Sequence, residues 1–462
     1  MRARRLRPPV LALAALAVGL AGCSAQDPQP TPTASPTPSG TAPAPQVELP
    51  AGAAGRDAAW VLAQLEPGAE TEAAEVTERF AESFLAEVPA EQLVTILGQL
   101  REAGPWTLAA AEGGPGHVLA RIEAAEGELE MQLVHDEEGK VSGLVFSPAP
   151  PERDPAESLE GLAAEVSALD AQSSLYLARV EDGACVPVEG FPAGSEAGAS
   201  LPIGSMIKLY VLGAVVEAVE AGELAWEDEV EVTEALRSLP TGRLQDEPAG
   251  TRVSVREAAE LMISISDNTA TDLLIHAVGR EQVEAMLERF GHDEPARNVP
   301  LMTTRDFFLL GWGEGGDWRE RWRGADEGGR RTILESLARL PLEIDLERVV
   351  SEPVWSDGID WFATGEDLCR AHLALAELSR TPAGEPVREI LAVNPGLAPP
   401  EGYEYLAFKG GSAPGALGGS WFAESGEEAV VVVIQTASPA QAVHAATATS
   451  IAQDALRLLA AG

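Results

Sequence analysis

The chain has 462 residues, 45 % of them apolar and 23 % charged, enough for two or three domains with cores of their own, so a wholly disordered chain is excluded. Its 32 Lys plus Arg stand against 73 Asp plus Glu, a formal charge of −41, so phosphate backbones and anionic membrane surfaces repel it at long range. Nucleic-acid binding is thereby excluded as a function class; the acidity otherwise reads as a solvated surface and names no substrate.

Residues 1–22 open on Arg2, Arg4, Arg5 and Arg7 and continue through an apolar run over 10–20, shorter than the roughly 20 residues of a membrane span, so they read as an export signal. The run ends in Leu20-Ala21-Gly22-Cys23, which resembles the lipobox of bacterial lipoproteins; the resemblance implies that Cys23 becomes the lipidated mature N-terminus. Residues 23–54 form a tether, with eight prolines among the 25 residues from Gln26 to Pro50. Nothing there can build a core, and in extended form it reaches on the order of 80 Å. No later apolar run approaches a span, so the expectation is an exported protein held to the outer face of the cytoplasmic membrane by lipid alone, consistent with a high-GC Gram-positive source. Cys185 and Cys369 are the other two cysteines; with so long a separation they are expected to be free and buried, a disulfide being the alternative.

Residues 55–150 read as a small α+β domain. Helical periodicity covers 57–65, 73–85 and 90–103, alternating strands cover 117–123 and 129–134, and a polar turn at 135–140 returns the chain into a strand at 141–146. Helices packed on a curved antiparallel sheet resemble the cup of nuclear-transport-factor and ketosteroid-isomerase domains. His135 reads as a hairpin-flank residue and not as a catalyst, because no partner stands at useful spacing. The Pro-rich stretch 148–151 marks the boundary.

From 155 to 462 the pattern becomes a larger α/β (α+β) unit. It opens with a helix over 156–169 and strands over 173–181 and 185–190, and passes through a long helical middle. Strands over 403–409, 418–424 and 429–436 and a helix over 439–459 close it. A sheet built from both ends with an all-helical insertion has two lobes and a cleft where they meet.

Three short motifs carry chemistry. Of the basic residues only Lys140, Lys208 and Lys409 are lysines. Arginine cannot lose its proton near neutral pH, so a retained lysine points to a titratable or compact amine. Ser205-Met206-Ile207-Lys208 enters a helix expected over 211–221. Three apart on a helix, the two share a face, and an amine with a lowered pKa can take the hydroxyl's proton; alone, the pattern equally describes an exposed helix start. Ser266-Asp267-Asn268 falls between helices at 258–265 and 269–278, where Ser and Asn are also ordinary caps. As chemistry, a second hydroxyl relays a proton to a leaving nitrogen and an amide holds a substrate carbonyl. Lys409-Gly410-Gly411-Ser412 ends a strand. Its glycines let a substrate approach the edge, a backbone N–H serves as an oxyanion donor, and the lysine supplies positive charge; a hairpin turn is the plainer meaning. The presence of all three, in this order, decides for chemistry.

The three triplets resemble the S-x-x-K, S-D-N and K-[ST]-G motifs of the class A β-lactamase and penicillin-binding serine hydrolases. Ser238-Leu239-Pro240-Thr241-Gly242, Pro248-Ala249-Gly250-Thr251 and the stretch 265–271 are part of the likeness, which covers about 155–462. With lipobox, small domain and Lys409-Gly410-Gly411-Ser412, the whole chain looks most like the actinobacterial Cpe/LpqF-type β-lactamase-related lipoproteins. The resemblance implies a two-lobe serine β-lactamase-like fold with Ser205 as nucleophile, Lys208 as its general base, Ser266 as proton shuttle and Lys409 as electrostatic anchor. It further implies Asn268, Gly411 and Ser412 as substrate-binding residues, with the backbone N–H groups of Ser205 and Ser412 as the oxyanion hole. Gly410 replaces the hydroxyl residue of the third triplet, which weakens the grip on a substrate carboxylate. Glu294-Pro295-Ala296-Arg297-Asn298 matches the E-P-x-x-N loop that aligns deacylating water, but its placement soon after Ser266 disagrees, and a surface turn acid is the competing reading.

The expectation is a serine hydrolase forming an acyl-enzyme at Ser205 with a small-molecule or peptidoglycan-like acyl substrate: a β-lactam, an ester or a peptide-like carbonyl. A D,D-peptidase-like enzyme is one alternative; a binding lipoprotein that captures β-lactams or cell-wall fragments without turnover is another. No cofactor is implied and no metal, since none of the six histidines sits in a ligand pattern. The membrane is met only through the lipid, and the sequence leaves the oligomeric state open.

Overall fold

The structure, a computed structural model, describes residues 47–461 apart from short stretches at 115, 126, 137, 150–152, 315–316, 346–347, 350–351, 398 and 440–442. The expected export signal, Cys23 and most of the tether lie outside the described residues. Two compact units divide the chain, one up to Pro151 and one from Glu152.

In the first unit helices α1 (Ala53–Gln64), α2 (Ala73–Arg79), α3 (Glu82–Glu87) and α4 (Ala90–Ala103) precede an antiparallel meander β1-β2-β3-β4, formed by Thr107–Gly114, His117–Ala124, Gly127–His135 and Val141–Pro148. Its core follows from two periodicities. Val118, Ala120 and Ile122 alternate on one face of β2, while Leu93, Leu97 and Leu100 share one face of α4, and all six are buried together. Strand β1 was not expected, because Thr-Leu-Ala-Ala-Ala-Glu-Gly-Gly is poor in β-branched and aromatic residues; pairing with β2 makes the strand. His135 ends β3, with Nε2 3.1 Å from Asp57 Oδ2 of α1, and Asp57 also pairs with Arg79 at 2.7 Å.

The second unit begins with α5 (Leu159–Ser167), whose first turn Ser158 caps by accepting from Gly161 N. Strands β5 (Gln172–Glu181) and β6 (Ala184–Pro187) follow, then β7 (Leu201–Pro202), the 3₁₀ turn Gly204–Ile207 and α6 (Lys208–Glu220). The small pair β8 (Glu229–Glu231) and β9 (Arg252–Ser254) leads into α7 (Val255–Ser264) and α8 (Asn268–Val278). After further helices, β10 (Phe362–Ala363) pairs with β7, and β11 (Tyr405–Ala413), β12 (Ala416–Ser425) and β13 (Glu428–Ala437) complete the main sheet. The sheet is antiparallel in the order β11-β12-β13-β5-β6, which leaves β11 at an edge. Along β13, Val430, Val432 and Ile434 pack with α5 and the C-terminal helix Ala445–Ala460, whereas Val431 and Val433 face the helical lobe. A continuous Val/Ile run thus buries both faces of a central strand. Helix α6 is buried on nearly every side, from Leu209 to Val216, and forms the spine of the helical lobe.

Cys185 and Cys369 are not free, as expected above, but joined in a disulfide with Cα atoms 6.4 Å apart. The separation of 184 residues hid this, because β6 and the helix Gly365–Leu378 become neighbours only when sheet and helical lobe pack. A cross-link over so long a loop restricts the unfolded chain. Replacing both cysteines by serine is expected to lower the unfolding free energy of the second unit by about 2–4 kcal/mol, read by denaturant titration under non-reducing conditions. A change below about 0.5 kcal/mol would contradict it.

Candidate active site

The turn Gly204–Ile207 presents Ser205 at the start of α6, held between two walls. On one side Ile203 N donates to Trp361 O (2.8 Å) and Gly204 N to Asp360 Oδ1 (2.9 Å). On the other side lies β11. A Cβ on Gly411 would fall 1.9 Å from Ile203 O, and one on Gly204, whose φ is +47°, would fall 3.0 Å from Ser412 N. Only glycine at both positions allows this approach. Within an antiparallel strand a residue's N–H and C=O point the same way, and alternate residues share the direction. Gly410 O receives Lys409 Nζ (2.8 Å), so Ser412 presents its N–H to the same free edge, toward the turn that carries Ser205.

Lys208 is completely buried at the first residue of α6. Its Nζ lies 2.6 Å from Ser266 O, 2.8 Å from Asn268 Oδ1 and 3.1 Å from Ser266 Oγ. The Ser205 hydroxyl is not among its partners. Lys409, 2 % exposed, brings its Nζ to 3.0 Å from the same Ser266 Oγ. Asn268 uses both ends of its amide, accepting from Lys208 and donating to Leu239 O (3.1 Å), and its nitrogen carries a second N–H, the donor a substrate carbonyl would take.

Ser266 stands between α7 and α8 with φ +58°, a left-handed conformation that costs a non-glycine residue energy and persists only where its surroundings enforce it. Asp267 enforces it. One carboxylate oxygen caps α8 through Ala270 N (2.8 Å), and the other takes Arg243 N (2.7 Å) and Leu244 N (2.9 Å). Thr241 adds its hydroxyl to Ser266 O (2.9 Å) and its carbonyl to Asn268 N (2.9 Å). The loop 238–244 is thus a clamp on the Ser266 turn, a role that its sequence did not show although the stretch belonged to the resemblance.

Burial lowers the Lys208 pKa well below its ordinary value, the neighbouring Lys409 lowers it further, and Asp267 and Asp272 act weakly in the opposite sense. Burial alone brings Lys409 down to about 7. Because both amines touch one oxygen they stand within about 6 Å, where two like charges at an effective dielectric of about 20 repel by about 3 kcal/mol. The pair therefore favours one proton fewer than two ordinary ammonium groups, and Lys208 is the one to give it up.

Lys208 Nζ donates to Ser266 O, Asn268 Oδ1 and Ser266 Oγ, and Lys409 Nζ donates to the same Ser266 Oγ. Ser266 O and Asn268 Oδ1 can only accept, so two N–H bonds suffice for them, and an amine that has lost one proton keeps both and gains a lone pair for a hydroxyl proton.

Glu294 does not join this group. Its side chain is 61 % exposed and pairs with Arg297 at 3.7 Å, while Asn298 of the same motif is buried and bonded to the backbone of Phe362. Another of the chain's Glu-Pro pairs, Glu352-Pro353, spends its carboxylate on Arg348 (2.9 Å) and Arg319 (3.2 Å).

Residues 160–315 match the model of the β-lactamase enzyme family, and residues 49–141 match the model of the ORF 12 gene product N-terminal region. No curated protein matches the chain. Similar solved structures include a β-lactamase from Sphaerobacter thermophilus DSM 20745, with 20 % identity over 65 % of this chain and 94 % of that one and a TM-score of 0.45. PBP-A follows at 18 % identity, 68 % and 97 % coverage and a TM-score of 0.45. An ancestral class A β-lactamase, GNCA, has 16 % identity, 65 % and 96 % coverage and a TM-score of 0.44. The matched segment 160–315 contains both Ser205-Met206-Ile207-Lys208 and Ser266-Asp267-Asn268. The larger unit is β-lactamase-like in fold and in the family model it matches, and the smaller has its own antiparallel sheet and its own family model.

The glycine contacts are testable. Gly411→Ala must displace the backbone of the Ser205 turn, with an expected cost of about 1–3 kcal/mol or more in stability. A Cβ on Gly410 would meet only the movable end of the Phe408 ring, at 2.9 Å. Thermal melts are expected to show a clear drop for Gly411→Ala and little change for Gly410→Ala; equal melting temperatures would contradict the close approach.

Proposed function

We propose that the larger unit is a serine hydrolase that forms an acyl-enzyme at Ser205. The observation that carries this reading is the Ser266 hydroxyl shared by two buried lysines, with burial lowering the pKa of both and Lys409 lowering that of Lys208 further. Ser205 Oγ attacks the carbonyl carbon of a β-lactam, ester or peptide-like substrate while its proton passes to the Lys208 lone pair. The developing oxyanion takes hydrogen bonds from the N–H groups of Ser205 and Ser412. Ser266 then hands a proton to the leaving nitrogen or oxygen and is resupplied by Lys208, so the expelled group departs neutral and Lys208 is again a free amine. Lys409 keeps positive potential on Ser266 throughout.

The strand beside the site offers backbone in place of side chains. Gly410 pairs with Gly419 and Gly411 with Gly418, so no hydroxyl stands at the second place of the triplet. We infer weak binding of β-lactams that depend on a carboxylate contact there. A second reading, capture without turnover, is favoured by one observation. Among the described residues no carboxylate is hydrogen-bonded to Lys208, Ser266 or Lys409, and Glu294 of the E-P-x-x-N match lies in solvent, paired with Arg297. Intact-mass analysis after incubation with a penicillin and with simple acyl esters separates the two: steady product release supports turnover, one equivalent followed by a stable adduct supports capture. The envelope-lipoprotein assignment rests on the Cys23 motif and on the likeness to the Cpe/LpqF-type lipoproteins.

Ser205→Ala is expected to abolish covalent labelling, and labelling that persists elsewhere would sink the assignment. Lys208→Arg supplies charge but no lone pair, so its acylation rate is expected to fall nearly as far as that of Lys208→Ala, about 10²–10⁴-fold. In the parent the rate falls as pH drops through the lowered Lys208 pKa, because the protonated amine accepts nothing. Stopped-flow acylation decides this; an arginine variant within a few-fold of the parent would remove the general-base role.

Cys23→Ala is expected to release the protein from the membrane fraction, since no described helix is long and apolar enough to cross a membrane. Unchanged retention on fractionation would refute the lipid anchor.

A further inference from the structure

Behind the Ser205 turn, on the wall opposite β11, lies a carboxyl group that none of the steps above uses. Asp360 is 2 % exposed, 156 residues away in sequence from the glycine it holds. Its Oδ1 accepts from Gly204 N (2.9 Å) and from Trp361 N (2.7 Å), while its Oδ2 is buried without a hydrogen-bond partner. The segment that carries it is rigid in its surroundings: Ile359, Trp361, Phe362 and Ala363 are all buried, and β10 is fastened to β7 just ahead of the turn. Gly204 has a left-handed φ and is pressed from the other side by Ser412, so its peptide orientation is set by what its N–H can reach.

We propose that Asp360 is a positioning residue for acylation: by accepting the Gly204 N–H it fixes the Ile203–Gly204 peptide, and so the Gly204 backbone that leads into Ser205 beside Ser412. The inference rests on Ser205 being the nucleophile. Charge is not what this role needs. Burial pushes the Asp360 carboxyl up to about 7, which limits the negative charge it places near a developing oxyanion, and an amide oxygen could accept the same N–H.

The test uses the full chain with benzylpenicillin and p-nitrophenyl acetate as probes, comparing the parent with Asp360→Ala and Asp360→Asn. Two readouts are taken: the acylation rate at saturation against the half-saturating concentration, and amide hydrogen exchange of the peptide spanning 203–206. Asp360→Ala is expected to slow acylation at saturation about 10–100-fold with little change in half-saturation, and to speed exchange at least about tenfold. Asp360→Asn, which keeps the acceptor, is expected within about threefold of the parent on both. The proposal is overturned if Asp360→Ala matches the parent, or if Asp360→Asn falls as far as Asp360→Ala. Should Asp360→Ala fail to fold, Asp360→Asn decides alone, parent-like values supporting the role and a loss in both readouts overturning it. A parent that forms no adduct at Ser205 would refute the hydrolase reading instead, while exchange would still report whether the carboxyl holds the Gly204 amide.

Discussion

Everything in the larger unit turns on one hydroxyl, that of the half-buried Ser266, lying 3.1 Å from Lys208 Nζ and 3.0 Å from Lys409 Nζ, both of them buried amines. Burying a lysine ammonium is costly unless it is paired, and among the described residues no carboxylate is hydrogen-bonded to either amine. The fold resolves this by letting Lys208 lose its proton and by giving its two N–H bonds carbonyl acceptors. The apolar bulk of α6 offsets the remaining cost, since Leu209, Val211, Leu212 and Val215 bury their full side chains around it. Arginine would fail here on both counts, because it stays charged and carries no lone pair. That is the physical reason this arginine-rich chain keeps a lysine at 208.

The second constraint is approach distance. The turn that carries Ser205 and β11 come from opposite ends of the larger unit's sequence, and they meet because β5 and β13 pair at the sheet centre, leaving β11 exposed at the edge. Packing that edge against the turn needs backbone-to-backbone contact at Gly204 and Gly411. The same contact sets the Ser412 N–H beside Ser205. Geometry useful for an oxyanion is therefore a product of how the two lobes close, not of either motif alone.

The grouping of Lys208, Ser266, Asn268 and Lys409 was legible because three short motifs of unusual residue types, in a chain with few lysines and asparagines, pointed to one site. The β5 and β13 strands were legible from their apolar runs. What was hidden depends on contacts distant in sequence. Asp360 belongs to no motif and acquires meaning only when β10 pairs with β7. Cys185 and Cys369 gave no distance, so their disulfide was missed. Thr241 stood in a stretch that matched the resemblance, yet its bond to Ser266 depends on the loop folding back over α8. Glu294 shows the converse: a motif in the sequence whose asparagine serves the backbone of Phe362 while its acid stays in solvent.

The acidic excess has a structural counterpart around the site. Asp267 is taken up by the N–H groups of Ala270, Arg243 and Leu244, Asp272 by those of Thr304 and Arg305, and Asp360 by those of Gly204 and Trp361. Each acts as a backbone clamp, with at least one carboxylate oxygen engaged by peptide N–H groups and none hydrogen-bonded to lysine. A free carboxylate in contact with Lys208 would raise that amine's pKa and fix its proton in place, removing the acceptor that acylation needs. In a chain of net charge −41 the nearby Asp267 and Asp272 do raise the Lys208 pKa, but burial first and Lys409 second outweigh them, so the direction at Lys208 is set by the packing of the helical lobe and not by the acidic excess.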